Sequence, residues 1–121
     1  HRSEVPIKQI LLNQTIISGI GNIYASEILF DSRISPFIKG KNLSILRLTR
    51  LIKSIKKILR KAIRHGGSSI RNYVSSDGTL GNFQTNFTVY KREGKKISGF
   101  IVKKTFQYGR ATYYCPGLQK K

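Results

Sequence analysis

Asn13-Gln14-Thr15-Ile16-Ile17-Ser18-Gly19-Ile20-Gly21-Asn22-Ile23-Tyr24-Ala25-Ser26-Glu27 is the stretch on which the reading of this chain turns. Gly19 and Gly21 let the backbone bend sharply, and Asn22 then stands where a helix is expected to begin, with apolar residues on both sides. A helix start leaves backbone N–H groups unpaired and carries a partial positive charge. Gly21 and Asn22 are therefore candidates to present N–H groups and a side-chain amide to a phosphate. The same residues also suit a plain helix-turn-helix corner with a glycine cap and no ligand, which the local sequence alone favours. A dinucleotide-binding turn is disfavoured, because no strand precedes the glycines.

Upstream, Pro6 suits a first helical turn and Ile7, Ile10 and Leu11 have helical spacing, which predicts a short helix ending near Asn13. Downstream, a second helix is expected from about Asn22 to Asp31, burying Ile23, Leu29 and Phe30 in part, before Ser35-Pro36 breaks the path. Ser44 is the expected cap of the longest helix, whose apolar face runs through Leu48, Leu51, Ile52, Ile55, Ile58, Leu59 and Ala62. Its other face carries Lys53, Lys56, Lys57, Arg60, Lys61 and Arg64, and His65-Gly66-Gly67 ends it. Ser68 to Asn82 is polar and turn-forming, with a bend at Ser75-Ser76-Asp77-Gly78 and a short helical turn around Ile70 to Val74. Phe100 to Thr105 is expected to pair with Ala111 to Tyr114 across Gln107-Tyr108-Gly109-Arg110. Two strands alone are marginal in water, so this hairpin must pack on the helices or be held by a metal. The fold class that results is mainly α with a small β-hairpin.

The 121 residues suit one domain or two small modules. Lys and Arg number 23 against 5 Asp and Glu, a formal charge of +18, and no acidic residue lies between Asp31 and Asp77. Such a field repels itself, and its natural partner is a polyanion, nucleic acid ahead of an anionic membrane surface. The richness in Ile, Asn and Ser leaves biased codon usage as a second source of the lysines. No run of about 18 apolar residues exists to span a membrane, and no signal peptide opens the chain. The single cysteine, Cys115, excludes an internal disulfide framework, fits a reducing intracellular compartment and reads as a small buried hydrophobe. The opening His1 raises the expectation that an amino-terminal portion has been removed or lies elsewhere. His1 and His65 lack a carboxylate partner at motif spacing, and Cys115 lacks a nearby histidine in sequence. Glu27 is the best placed acid, but mid-helix it suits a structural hydrogen bond. By themselves these residues do not make an enzyme.

Read in order, the GIGNIYASE core of Leu12 to Glu27, the GGSSIRNYVSSDG segment from Gly66 to Gly78, Gly81-Asn82-Phe83-Gln84, Val89-Tyr90-Lys91-Arg92-Glu93-Gly94 and Gly109-Arg110-Ala111-Thr112-Tyr113-Tyr114-Cys115-Pro116 resemble the carboxyl-terminal half of formamidopyrimidine-DNA glycosylase, collinearly over nearly the whole chain. The resemblance implies a helix-two-turn-helix DNA-binding domain over residues 1–84, including a base-capping loop. A zinc-finger-like hairpin that has lost most of its cysteines would follow over residues 85–121. It implies a base-excision-repair enzyme that excises oxidised purines such as 8-oxoguanine and formamidopyrimidines and then cleaves the abasic strand as an AP lyase. Its partner would be double-stranded DNA carrying oxidised bases or abasic sites, met by a monomer at the nucleoid. Asn22 and Arg110, with Gly21, would grip phosphates around an extruded nucleotide, as an enzyme acting on a stacked base requires. Lys8 would sit near the lesion pocket, and Ser68 and Asn72 would belong to the loop that closes over the oxidised base.

Two departures accompany the resemblance. The family's nucleophile, an amino-terminal proline that forms a Schiff base, and the glutamate after it have no counterpart in these residues. The chain alone is therefore expected to be inactive, and a separate amino-terminal catalytic domain is an expected partner. Family members also hold a structural zinc with two Cys-x-x-Cys pairs. Here Ser98 and Leu118 stand at two of those positions, a third falls in a deletion, and Cys115 remains. One thiolate cannot supply the roughly 10 to 16 kcal/mol of a complete site, so no zinc or other cofactor is expected. Ile97, Phe100, Val102, Tyr113 and Leu118 are the residues expected to support the hairpin by packing instead. Two other readings stand beside this one: a non-catalytic DNA-binding fragment or decayed gene product, and a basic RNA-associated protein.

Overall fold

A computed structural model of the chain describes residues 4–13, 18–64 and 87–121. Helix α1 (Ile7–Asn13) leads to α2 (Ser18–Asp31), a single 3-10 turn at Gly40–Asn42, and the long α3 (Ile45–Arg64). Four short strands follow, β1 (Lys96–Ile97), β2 (Phe100–Ile101), β3 (Lys103–Gln107) and β4 (Arg110–Tyr114), forming two separate antiparallel hairpins. The expected capping loop, the glycine end of α3 and the bend at Ser75 to Gly78 lie outside the described residues.

Each helix has a local cause. The Pro6 carbonyl accepts from the N–H groups of Gln9 and Ile10 at 3.0 and 3.3 Å and so starts α1. The Ser44 hydroxyl accepts from the Arg47 N–H at 3.2 Å and caps α3. Of the apolar face expected on α3, Leu51 is buried and Ile55 and Ile58 pack against the core, whereas Leu48, Ile52 and Leu59 remain exposed. Helix α2 begins four residues before the expected start. All residues from 21 to 30 are buried, so packing on every side outweighs the weak helix preference of Gly21. Its end is a Schellman turn with arginine where glycine is usual. Arg33 takes φ 61°, its N–H bonds the Phe30 carbonyl at 3.0 Å, and the Ile34 N–H reaches back to Leu29 at 2.9 Å. The Arg33 guanidinium lies over the Phe30 ring, 4.2 Å from its centroid.

Helix α2 is the spine between two apolar clusters. On one side Ile23, Ile28 and Leu29 meet Ile7, Ile38 and Leu51; on the other Phe30 meets Val89, Val102, Tyr113 and Cys115. At its end Asp31 accepts from the Ser54 hydroxyl at 2.7 Å and from Lys57 at 2.9 Å, tying α2 to α3. Burial pushes the Asp31 carboxyl up, but these two donors bring it below its ordinary value.

The single hairpin expected from the sequence is two. Ser98 and Gly99 take φ 51° and 85°, a left-handed pair that folds Lys96–Ile97 back on Phe100–Ile101. The main hairpin therefore begins at Lys103 and keeps its register to Tyr114, with Gln107 opposite Arg110 across Tyr108-Gly109. Phe100 does not enter the cluster beneath the hairpin; its ring lies over Gly117, where a Cβ would meet it at 2.1 Å. The chain end is stapled to the turn after α2. Gln119 donates to the Ile34 carbonyl at 3.0 Å, and the Ser35 N–H bonds the Lys120 carbonyl at 2.9 Å.

Candidate nucleic-acid interface

Lys8, the second residue of α1, is 1% exposed. A buried ammonium is costly unless its protons are bonded. Here it donates to the Asn22 Oδ1 of α2 at 2.7 Å, to the Thr112 Oγ1 of β4 at 2.9 Å and to the Ala111 carbonyl at 3.3 Å. The Asn22 amide donates to that same carbonyl at 3.2 Å, which fixes which of its ends faces Lys8. Thr112 passes its own proton to the Gln107 Oε1 at 3.0 Å, and the Gln107 amide donates to the Pro36 carbonyl at 3.3 Å. This chain of bonds ties both helices, the turn after α2 and the main hairpin into one unit. Among the described residues Glu4 pairs with Lys39 and Lys41, and Asp31 with Lys57; neither Lys8 nor Arg110 joins an ion pair.

Arg110, half-buried, opens β4 immediately before Ala111. Burial first, and then the positive field of Arg110, lower the Lys8 pKa to about 8. The Lys8 ammonium and the Asn22 amide thus meet on one backbone carbonyl, the residue before that carbonyl is Arg110, and each acceptor holding Lys8 is neutral. Such a centre lacks a counter-charge and suits an anion.

Of the sequence-derived site residues, Lys8, Asn22 and Arg110 are brought together. Gly21 is buried beside Asn22, but both fall inside α2, at its fourth and fifth positions. The expected arrangement, free N–H groups of Gly21 and Asn22 at a helix start, is therefore corrected: the Asn22 side chain, not its backbone, reaches the hairpin. Ser68 and Asn72 lie outside the described residues. Glu27 has the structural part expected of it, its carboxylate accepting from the N–H groups of Thr88, Val89 and Tyr90 at 2.8, 2.8 and 3.0 Å. Thr112 and Gln107 were not foreseen. Strand alternation was the available signal, since it sets Gln107, Arg110 and Thr112 on one face of the ribbon.

Helices joined to a hairpin by a buried network around a lysine, on a chain with excess positive charge, fit a module of the helix-two-turn-helix class. Residues 1–74 match the family described as the formamidopyrimidine-DNA glycosylase H2TH domain, and the chain belongs to that family. The formamidopyrimidine-DNA glycosylase of Zymomonas mobilis is 44% identical over 119 residues, covering 98% of this chain and 44% of that protein. That of Rhodospirillum centenum is 44% identical over 123 residues, covering 95% and 42%. The chain thus spans less than half the length of these curated relatives. Among solved structures, the Lactococcus lactis Fpg in complex with DNA containing an abasic site superposes with a TM-score of 0.82 at 41% identity, over 99% of this chain and 45% of that one. A MutM complex with DNA containing carbocyclic 8-oxo-G superposes at 0.79 and 38% identity, over 98% and 43%.

Proposed function

We propose that the chain is the DNA-gripping carboxyl-terminal part of a base-excision-repair glycosylase and AP lyase acting on oxidised purines. The observation that carries this is the convergence of Lys8, Asn22 and the Arg110 strand on the Ala111 carbonyl, in a family whose solved members are seen with abasic and oxidised DNA. Asn22 and Arg110 grip phosphates around an extruded nucleotide, Asn22 from the buried network and Arg110 from the strand that the network holds. Gly21, the neighbour of Asn22, belongs to the same phosphate grip in this reading. Lys8, with Ser68 and Asn72 of the capping loop, belongs to the lesion pocket. The division at residues 84 and 85 into a helical domain and a finger is part of the same reading. The family match disfavours an RNA-associated protein.

The finger is read as one that works without zinc. Its remaining thiol, Cys115, is fully buried among Phe30, Val89, Val102 and Tyr113, and no group of three metal-ligating side chains exists among the described residues. A tetrahedral site does not fit here, and apolar packing takes over its support. No counterpart of the nucleophilic proline or the catalytic glutamate occurs in the 121 residues, so by themselves they bind without chemistry.

Alanine at Asn22 or at Arg110 is expected to weaken binding to an abasic-site duplex by about 1 to 3 kcal/mol each, the worth of a charge-assisted contact. Unchanged affinity in both variants refutes the assignment. Borohydride treatment of the chain on abasic DNA is expected to trap no covalent adduct, and an adduct would refute the inactivity of these residues alone.

A further inference from the structure

Tyr108 and Gly109 form the two-residue turn of the main hairpin with φ 50° and 78°. A turn with both residues left-handed prefers Asn-Gly, because a side chain of tyrosine's kind is strained there. Strain of this sort persists where the surroundings enforce it, and it prompts the question of what the residue is for. Packing does not answer it. Tyr108 is 65% exposed and Phe106, just before it, 67%, whereas Tyr113 at the base of the same ribbon is buried and Tyr114 meets the Phe37 ring edge-on at 5.3 Å.

The tip is held firmly all the same. Gln107, the residue before the turn, is locked to Thr112 and to the Pro36 carbonyl, and Gln107 pairs with Arg110 across the turn. Cations flank the aromatic rings. Arg110 closes the turn, and the Lys104 Nζ stands 5.6 Å from the centre of the Phe106 ring. Exposed rings on a tethered hairpin tip that also carries Lys104 and Arg110 are complementary to a polyanion that offers flat apolar faces, and nucleic acid is that polyanion.

We propose that Tyr108 is a direct DNA contact, its ring packing on the sugar or base face of the nucleotide next to the phosphate that Arg110 holds. This rests on the DNA-binding reading above and adds to it a contact that is not electrostatic.

The 121 residues contain no tryptophan, so Tyr108→Trp places a single reporter at the hairpin tip. Titration with abasic duplex is expected to quench its emission as labelled-duplex anisotropy reports binding. Tyr108→Gly relieves the strained turn, so its Tm should equal or exceed the parent's while its affinity for the duplex falls roughly tenfold. The slope of log K against log salt should stay unchanged in that variant, but become shallower by about one in Arg110→Ala. Unchanged tryptophan emission at saturating duplex, or parental affinity in the glycine variant, overturns the proposal and leaves the DNA-binding reading standing. Absence of duplex binding by the parent chain overturns both. A tryptophan blue shift on vesicles containing phosphatidylserine, with none on DNA, makes the tip a membrane contact and overturns the proposal as well.

Discussion

Lys8 shows how one buried charge links folding to the proposed task. Its ammonium needs three acceptors from two other elements, and the same acceptors fix Asn22 and the start of β4. With its pKa lowered to about 8 from an ordinary 10.5, the folded chain loses this proton while the unfolded chain still holds it. The unfolded state then binds more protons across that window, so stability rises with pH between about 8 and 10.5, by on the order of 3 kcal/mol from this group. Below pH 8 both states carry the charge, and folding bears the full cost of burying it. Urea unfolding at stepped pH should show the rise in the parent chain and its loss in Lys8→Met. Thr112→Val, which removes one acceptor, should start the rise at lower pH. A rise of equal size in Lys8→Met would assign it to other groups.

Among the elements, α2 carries the most, and Glu27 is its outward tie. Its carboxylate gathers three successive N–H groups from residues 88–90, so the polypeptide leading to both hairpins hangs from the middle of a buried helix. Glu27→Gln turns one acceptor oxygen into a donor facing a donor. We expect a loss of about 2 to 3 kcal/mol by chemical denaturation, with amide exchange at Val89 and Tyr90 accelerating more than in α1. Unchanged exchange at those two amides would show that the tie does not hold the segment. What the sequence disclosed among these elements follows how local each cause is. Pro6 and Ser44 act within a turn of the chain, and the helices they start were legible. The burial of residues 21–30 of α2 on all sides, and the left-handed serine of the β1–β2 hairpin, are not registered by local propensity. Beyond Gly21 and Asn22, which the glycine-rich stretch already marked, the site was legible only through the resemblance. Lys8 and Asn22 lie 14 residues apart, and Lys8 and Thr112 lie 104 apart, so no spacing rule joins them.

Over the molecule as a whole, +18 charges sit on 121 residues with few carboxylates to offset them. Asp31 is spent on α3, Glu27 on backbone, and Glu4 on an exposed pairing with Lys39 and Lys41 whose carboxyl lies below its ordinary value through those two bonds. No helix of the described residues is long and apolar enough to cross a membrane. Self-repulsion of this size opposes folding and favours any polyanion, and salt acts on both through the same screening. The two responses must have opposite sign. Raising NaCl from 50 to 200 mM should increase Tm by a few degrees as repulsion is screened. It should also weaken duplex binding by roughly ten- to a hundredfold, the range for two to four neutralised phosphates. Scanning calorimetry and anisotropy on the same preparation give both numbers. Binding insensitive to salt would mean that the cationic surface does not face the phosphates. A Tm that falls with salt would mean that the few ion pairs outweigh the net field.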